Sequence, residues 1–157
     1  MSLHSLQVDY FLLMLDLQHN KGEGTIMKKI IITKKNNLEE EVNSGAMIRL
    51  AGVSESLSGA KNIHLAIATI PPERCSTTHF HTNCESAIYV LSGEGVFIHG
   101  DNMEIEDNIS EGDFIFVPEG SLHQPINTGE EDLKLIVARN TPVEIVEEVT
   151  ELGRKNC

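Results

Sequence analysis

Between residues 46 and 139 the chain is a succession of short apolar or alternating runs, separated by turn residues and never joined into a helical period. The runs cover residues 46–51, 62–70, 77–81, 87–91, 95–99, 113–117, 122–126 and 133–139. Pro71-Pro72 stops the second run, and Gly93, Gly100-Asp101-Asn102, Pro118-Glu119-Gly120 and Thr128-Gly129 punctuate the others. Strands recurring every ~8 to 12 residues with turn signals between them predict an all-β sandwich or barrel. The tail, residues 143–152, has Val143, Val146, Val149 and Leu152 at three-residue spacing but also reads as a strand, so helix and strand both stay open there.

The first 26 residues differ from the rest. Residues 8–17 could form a short helix, and residues 19–24 are a turn-rich linker. Met27-Lys28-Lys29-Ile30-Ile31-Ile32 then reads as a fresh start on a β-branched strand. The expected organisation is a short N-terminal extension, 1–26, before a single domain, 27–157. Met27 would be the natural initiator, or the extension an appended docking segment. Residues 30–33 are the candidate for an exchanged or edge-pairing strand, because an open β fold leaves edges to cover and a two-fold homodimer is the commonest solution.

Composition narrows the partners. The chain has 157 residues, 40% apolar and 23% charged, a balance that suits one globular domain with a real core. Twelve Lys and Arg against 24 Asp and Glu leave a net charge of −12, which repels phosphate backbones and anionic lipid surfaces. No nucleic-acid or membrane partner is therefore expected, and a small molecule is. The most apolar run, residues 10–15, lies between Asp9 and Asp16 and falls far short of the ~20 residues that cross a bilayer. Three cysteines, Cys75, Cys84 and Cys157, make an odd set without regular spacing rather than a disulfide framework, so a reducing, cytoplasmic location is expected.

The chemistry concentrates in two segments. In His79-Phe80-His81 two imidazoles separated by one residue point to the same face of a strand. Glu85 follows after a short turn, and if it faces inward then so do Ala87, Tyr89 and Leu91. The second segment, 112–127, contributes His123 just past a Pro-x-Gly turn. Three neutral imidazoles and one carboxylate suit a divalent transition metal such as Mn, Fe, Ni, Co or Zn. Four protein ligands on an octahedral ion leave two positions for water, oxygen or a bidentate substrate. Because imidazole must be neutral to coordinate, acidification below about pH 6 is expected to release the metal.

These segments resemble the two motifs of the cupin family. The second motif, Gly, five residues, Pro-x-Gly, two residues, His, three residues, Asn, is met by Gly112, Pro118, Gly120, His123 and Asn127. The first is carried by His79, His81, Glu85 and Gly93, with two departures: Glu73 stands where the leading glycine would be, and seven residues rather than six separate Glu85 from Gly93. Ser86 would occupy the alternative register; as a much poorer ligand it is set aside and Glu85 retained. The motif region runs over residues 73–127. The resemblance implies a double-stranded β-helix, the jelly-roll barrel, with a metal held by His79, His81, Glu85 and His123. It also implies a dioxygenase- or isomerase-type enzyme acting on a small oxygen-rich metabolite bound to the ion, in which Glu85 could also move a proton. The rival class is a non-catalytic sugar- or metal-binding module, since fold alone does not decide function. Gly93, Gly112 and Gly120 are expected at turns of positive φ, Asn127 as a turn hydrogen-bonder, and His64 and His99 as ordinary satisfied or exposed histidines. Cys84 is expected to be a small apolar residue pointing away from the site, and Tyr89 to fill the barrel.

Overall fold

The structure, a computed structural model, describes residues 29–154. The chain divides into two units, Met1–Ile31 and Ile32–Cys157, and the architecture below is that of the second. The proposed extension, residues 1–26, lies outside the described residues. Residues 29–34 carry no regular structure, so the strand expected at 30–33 is not formed there.

Eleven strands make up two antiparallel sheets of a double-stranded β-helix. They are β1 (Glu39–Glu40), β2 (Ile48–Val53), β3 (His64–Ile70), β4 (His79–His81), β5 (Ser86–Ser92), β6 (Glu94–His99), β7 (Ile105–Ser110), β8 (Phe114–Val117), β9 (His123–Asn127), β10 (Leu133–Arg139) and β11 (Val146–Glu148). One sheet runs β1-β2-β3-β10-β5-β8 and the other β11-β4-β9-β6-β7. Alternation dictates the packing between them. Leu133, Leu135 and Val137 on β10, Ala68 and Ile70 on β3, Ile88 and Val90 on β5, and Val117 on β8 turn one face inward to meet Phe97 and Ile109. Each fully buried Leu, Ile or Val contributes ~1.5–3 kcal/mol through the apolar surface removed from water.

Every expected run from 46 to 139 forms a strand, shifted by two residues at most. The tail resolves as a strand, and a short one: β11 pairs with β4, opposing Val146 to His81 and Glu148 to His79. β7 escapes a propensity reading because Glu106, Asp107 and Asn108 are poor strand formers; it is an edge strand with a single buried side chain, Ile109. Asn127 ties the turn after β9 together, donating to the carbonyls of Ile70 and Glu131 at 2.8 and 2.7 Å while its Oδ1 accepts the Gly129 amide at 2.9 Å. Cys75 is disulfide-bonded, against the expectation from cysteine count, whereas Cys84 is a buried free thiol. Among the described residues no helix is long and apolar enough to cross a membrane.

Glu73 shows what the missing motif glycine costs. Its φ is +60°, the left-handed region that a Cβ disfavours. Glu73→Gly should relieve this strain and, after the extra entropy of an unfolded glycine, stabilise the chain by about 0.5–1 kcal/mol. Chemical denaturation measures it, and a destabilised variant contradicts the assignment.

Candidate metal centre

β4 and β9 build the site. They meet at the cross-strand pair His79–His123, and the two-residue period of β4 puts His81 on the same inward face as His79. Gly120, at φ +76°, turns the chain sharply before β9 and donates its amide to the His81 carbonyl at 2.8 Å, which locks the approach of His123 to β4. The ring centroids of His79 and His123 are 4.3 Å apart, those of His79 and His81 5.2 Å, and those of His81 and His123 5.4 Å. Phe97 lies parallel to His123, at 5.5 Å and 6° between planes, and backs the ring. The ligand atoms of the three buried histidines all lie within 4.8 Å of one another.

Two of the imidazoles are held by hydrogen bonds at Nδ1, and the third lies against a carboxylate. In His79 this atom is 2.7 Å from the Thr77 carbonyl and in His123 2.8 Å from the Ser121 carbonyl, so Nδ1 carries the proton and Nε2 offers its lone pair. His81 Nδ1 is 3.2 Å from Glu144 Oε2. Glu144 is in turn clamped by Arg139, whose Nε is 2.8 Å from Oε2, and by Arg49. Arg49 also donates to the Val42 carbonyl and faces Glu41, which is 2.7 Å from His64 Nε2. Carboxylate and carbonyl partners that orient a histidine's outer nitrogen are what a metal centre needs behind its ligands.

The structure does not bring Glu85 to this cluster. Its side chain is exposed, and its backbone amide donates to Asn140 Oδ1 at 3.0 Å. Ser86 takes the inward position instead, followed by Ile88 and Val90, while Ala87 and Leu91 face outward and Tyr89 packs on Phe114 at 4.8 Å. Pairing explains this parity. Ser86 opposes Arg139 and Val117, both inward-facing, and the ladder jumps from Val90 to Ser92, so that Leu91 bulges out of it. Counted back from Gly93, the motif's six-residue interval ends on Ser86, and that spacing was the available signal. The residues missed altogether are Glu144, Arg139 and Arg49. Arg139 had a signal, since it continues the inward alternation Leu133, Leu135, Val137. Glu144 arrives on the strap after β10, which Asn83 pins through the Val143 carbonyl and the Ile145 amide, and no spacing pointed to it. His64 and His99 are paired with Glu41 and Asp107 respectively.

Burial favours the neutral forms of His79 and His123. Burial is the main cause that lowers His79 from 6.5 to about 4, with His81 and Arg139 pressing the same way against the Thr77 carbonyl. Burial likewise holds His123 well below 6.5, helped by His79. Burial alone would raise Glu144, but His81, Arg139 and Arg49 outweigh it and lower the carboxyl from 4.5 to about 2. Between pH 6.5 and about 4 the unfolded chain therefore binds more protons than the folded one, and stability must fall as pH falls. For His79 alone the loss across that window is about 3 kcal/mol. The Glu144 contribution is present above 4.5 and is lost as pH drops further, toward about 2. Calorimetry of metal-stripped protein should show a melting temperature that declines steadily from pH 6.5 to 4; a flat profile contradicts the burial of neutral imidazoles.

A cavity of about 20 Å³ lies against His79, His81, His123, Ser86 and Arg139. Larger clefts flank it. One of about 620 Å³ reaches His79 and Glu144, and one of about 720 Å³ reaches His123 and Phe97.

A family model described as a cupin domain matches residues 66–139. Auxin-binding protein 1 of Arabidopsis thaliana is 33% identical over 92 residues, which are 55% of this chain and 46% of that protein, so the chain spans less than half the length of this relative. The polyketide cyclase RemF from Streptomyces resistomycificus superposes with a TM-score of 0.63 at 20% identity, covering 79% of this chain and 86% of that one. The oxalate decarboxylase of Bacillus subtilis, a protein with Mn(II) centres, superposes at 0.60 and 22% identity, covering 69% of this chain and 29% of that one. Likenesses at this identity establish the fold.

Proposed function

We propose, from the premise that the chain belongs to the cupin family, that His79, His81 and His123 hold one divalent transition metal and that the protein is a metal-dependent enzyme of dioxygenase or isomerase type. The observation that carries this is the convergence of three buried imidazoles, two hydrogen-bonded through Nδ1 and the third with its Nδ1 facing Glu144. Nitrogen donors of this kind fit Mn, Fe, Ni, Co or Zn, and the Mn(II) centres of the oxalate decarboxylase neighbour make Mn the first ion to try. Such an ion supplies Lewis acidity or, if redox-active, oxygen chemistry. The chain's own groups do the rest: Thr77, Ser121 and Glu144 orient the imidazoles, Phe97 and the core exclude water, and the flanking clefts admit a small oxygen-rich metabolite. Metal-loaded protein assayed for oxygen uptake and for isomerisation across keto acids, hydroxy acids, diketones and sugar derivatives tests this reading. Turnover that disappears with chelator supports it; bound metal without turnover on any of these substrates favours the non-catalytic binding module.

We also infer a homodimer through the outer face of the six-stranded sheet. Register aligns two apolar rows there, Phe114–Tyr89–Ile136–Ile67–Leu50 and Phe116–Ala87–Ala138–Leu65. Phe114 is 83% exposed and Phe116 64%. On a chain of net charge −12 these rows contain no carboxylate, so two copies can approach there without the repulsion that governs the rest of the surface. Light scattering should give a dimer for the wild type and a monomer for Phe114→Glu/Phe116→Glu; a monomeric wild type at high micromolar concentration overturns the inference.

A further inference from the structure

We propose that a small monoanion of the carboxylate class, no larger than formate, fills the place beside the three histidines where this chain lacks a carboxylate of its own, cradled by the Arg139 guanidinium and the Ser86 hydroxyl. The proposal rests on the metal reading above and adds to it the ligand that completes the centre. Ser86 and Arg139 are cross-strand partners on β5 and β10 and both face inward. They are 2% and 6% exposed, and both line the same cavity as His79, His81 and His123. Arg139 Nη1 and Ser86 Oγ are buried without a hydrogen-bond partner. A buried donor left unpaired is costly, more so on a charged group, so two of them aimed into one cavity mark a place for an acceptor.

Charge and size define that acceptor. Arg49 and Arg139 are balanced by Glu144 and Glu41, which leaves the surroundings of the cluster close to neutral. A divalent ion held by three neutral imidazoles adds two positive charges with no protein carboxylate on it, since Glu85 is at the surface. A negatively charged ligand relieves that imbalance and accepts hydrogen bonds from Arg139 and Ser86 together. A volume of about 20 Å³ holds one or two water-sized groups, which excludes dicarboxylates and sugars from the cradle itself.

The test titrates Mn²⁺, and separately Zn²⁺, into the metal-stripped full-length chain by calorimetry, in a buffer whose only anions are bulky sulfonates, with and without excess formate. One charge-assisted hydrogen bond is worth enough to tighten wild-type metal binding at least about tenfold on adding formate. Arg139→Gln should lose that gain, Ser86→Ala should lose part of it, and Ser86→Glu should bind metal tightly without formate and ignore its addition. Circular dichroism checks folding, and the Ser86 variants keep the test decisive where the Arg139 variant unfolds. Metal binding that formate leaves unchanged in the wild type overturns the anion proposal alone and assigns the cradle to water. A wild type that takes up neither ion under any condition overturns the metal reading and this proposal with it.

Discussion

Replacing His79 or His123 with Ala is expected to lower divalent-metal affinity by at least about 100-fold while the barrel stays folded. The size follows from the count of donors: three imidazoles converge, so each supplies a third of the protein's ligand set. Loss of a partner merely behind a ligand already costs ~10- to 100-fold in affinity at comparable centres, and loss of the ligand itself exceeds that. Folding survives because the cluster of Leu133, Leu135, Val137, Ile88 and Val90 packs without the histidines. The metal-free variants should even gain acid resistance, because the imidazole whose neutrality the fold enforces is gone. Calorimetric titration and circular dichroism measure both effects. Affinity within threefold of wild type for either variant would remove that histidine from the ligand set.

Glu144→Ala is expected to destabilise the chain by about 3–5 kcal/mol, the usual result of removing one partner from a buried ionic group. The carboxylate stands between Arg49 and Arg139, and without it the buried Arg139 guanidinium loses its carboxylate partner while Arg49 keeps only Glu41, 3.9 Å away. Its second effect is on metal, since His81 Nδ1 loses the group 3.2 Å away that orients the ring; the affinity loss should be about 10- to 100-fold. Glu144→Gln keeps the shape and one acceptor, and should show the metal defect with less of the stability loss. Denaturant unfolding separates the two. An Ala variant within about 1 kcal/mol of wild type would show that the arginines find solvent or another partner.

The histidines were legible because two short-range rules place them. Period-two alternation puts His79 and His81 on one face, and a Pro-x-Gly turn ending in the left-handed Gly120 delivers His123 opposite them. Parity across the turn at residues 82–85 was not legible from either side alone: counted from His81 it favours Glu85, counted from Gly93 it favours Ser86, and a long-range pairing with Arg139 decides for Ser86. Period-two patterning within one strand carries no information about which neighbour it will pair with, and that neighbour is 53 positions away in the chain. The carboxylate beside the site, Glu144, is positioned by two hydrogen bonds between the Asn83 side chain and a strap some 60 residues later, one donated to the Val143 carbonyl and one accepted from the Ile145 amide. The exposed Phe114 and Phe116 were legible as strand residues, but which side of β8 faces solvent depends on Ile115 and Val117 finding the core.

Anomalous diffraction from crystals grown with Mn²⁺, collected at an energy where that ion scatters strongly, tests the central claim most directly. The account predicts one peak per chain at coordination distance from Nε2 of His79, His81 and His123 together, with Glu144 behind His81 and outside the coordination sphere. A peak lodged among the acidic side chains of the neighbouring cleft, or crystals with no ion between the three rings, would contradict it.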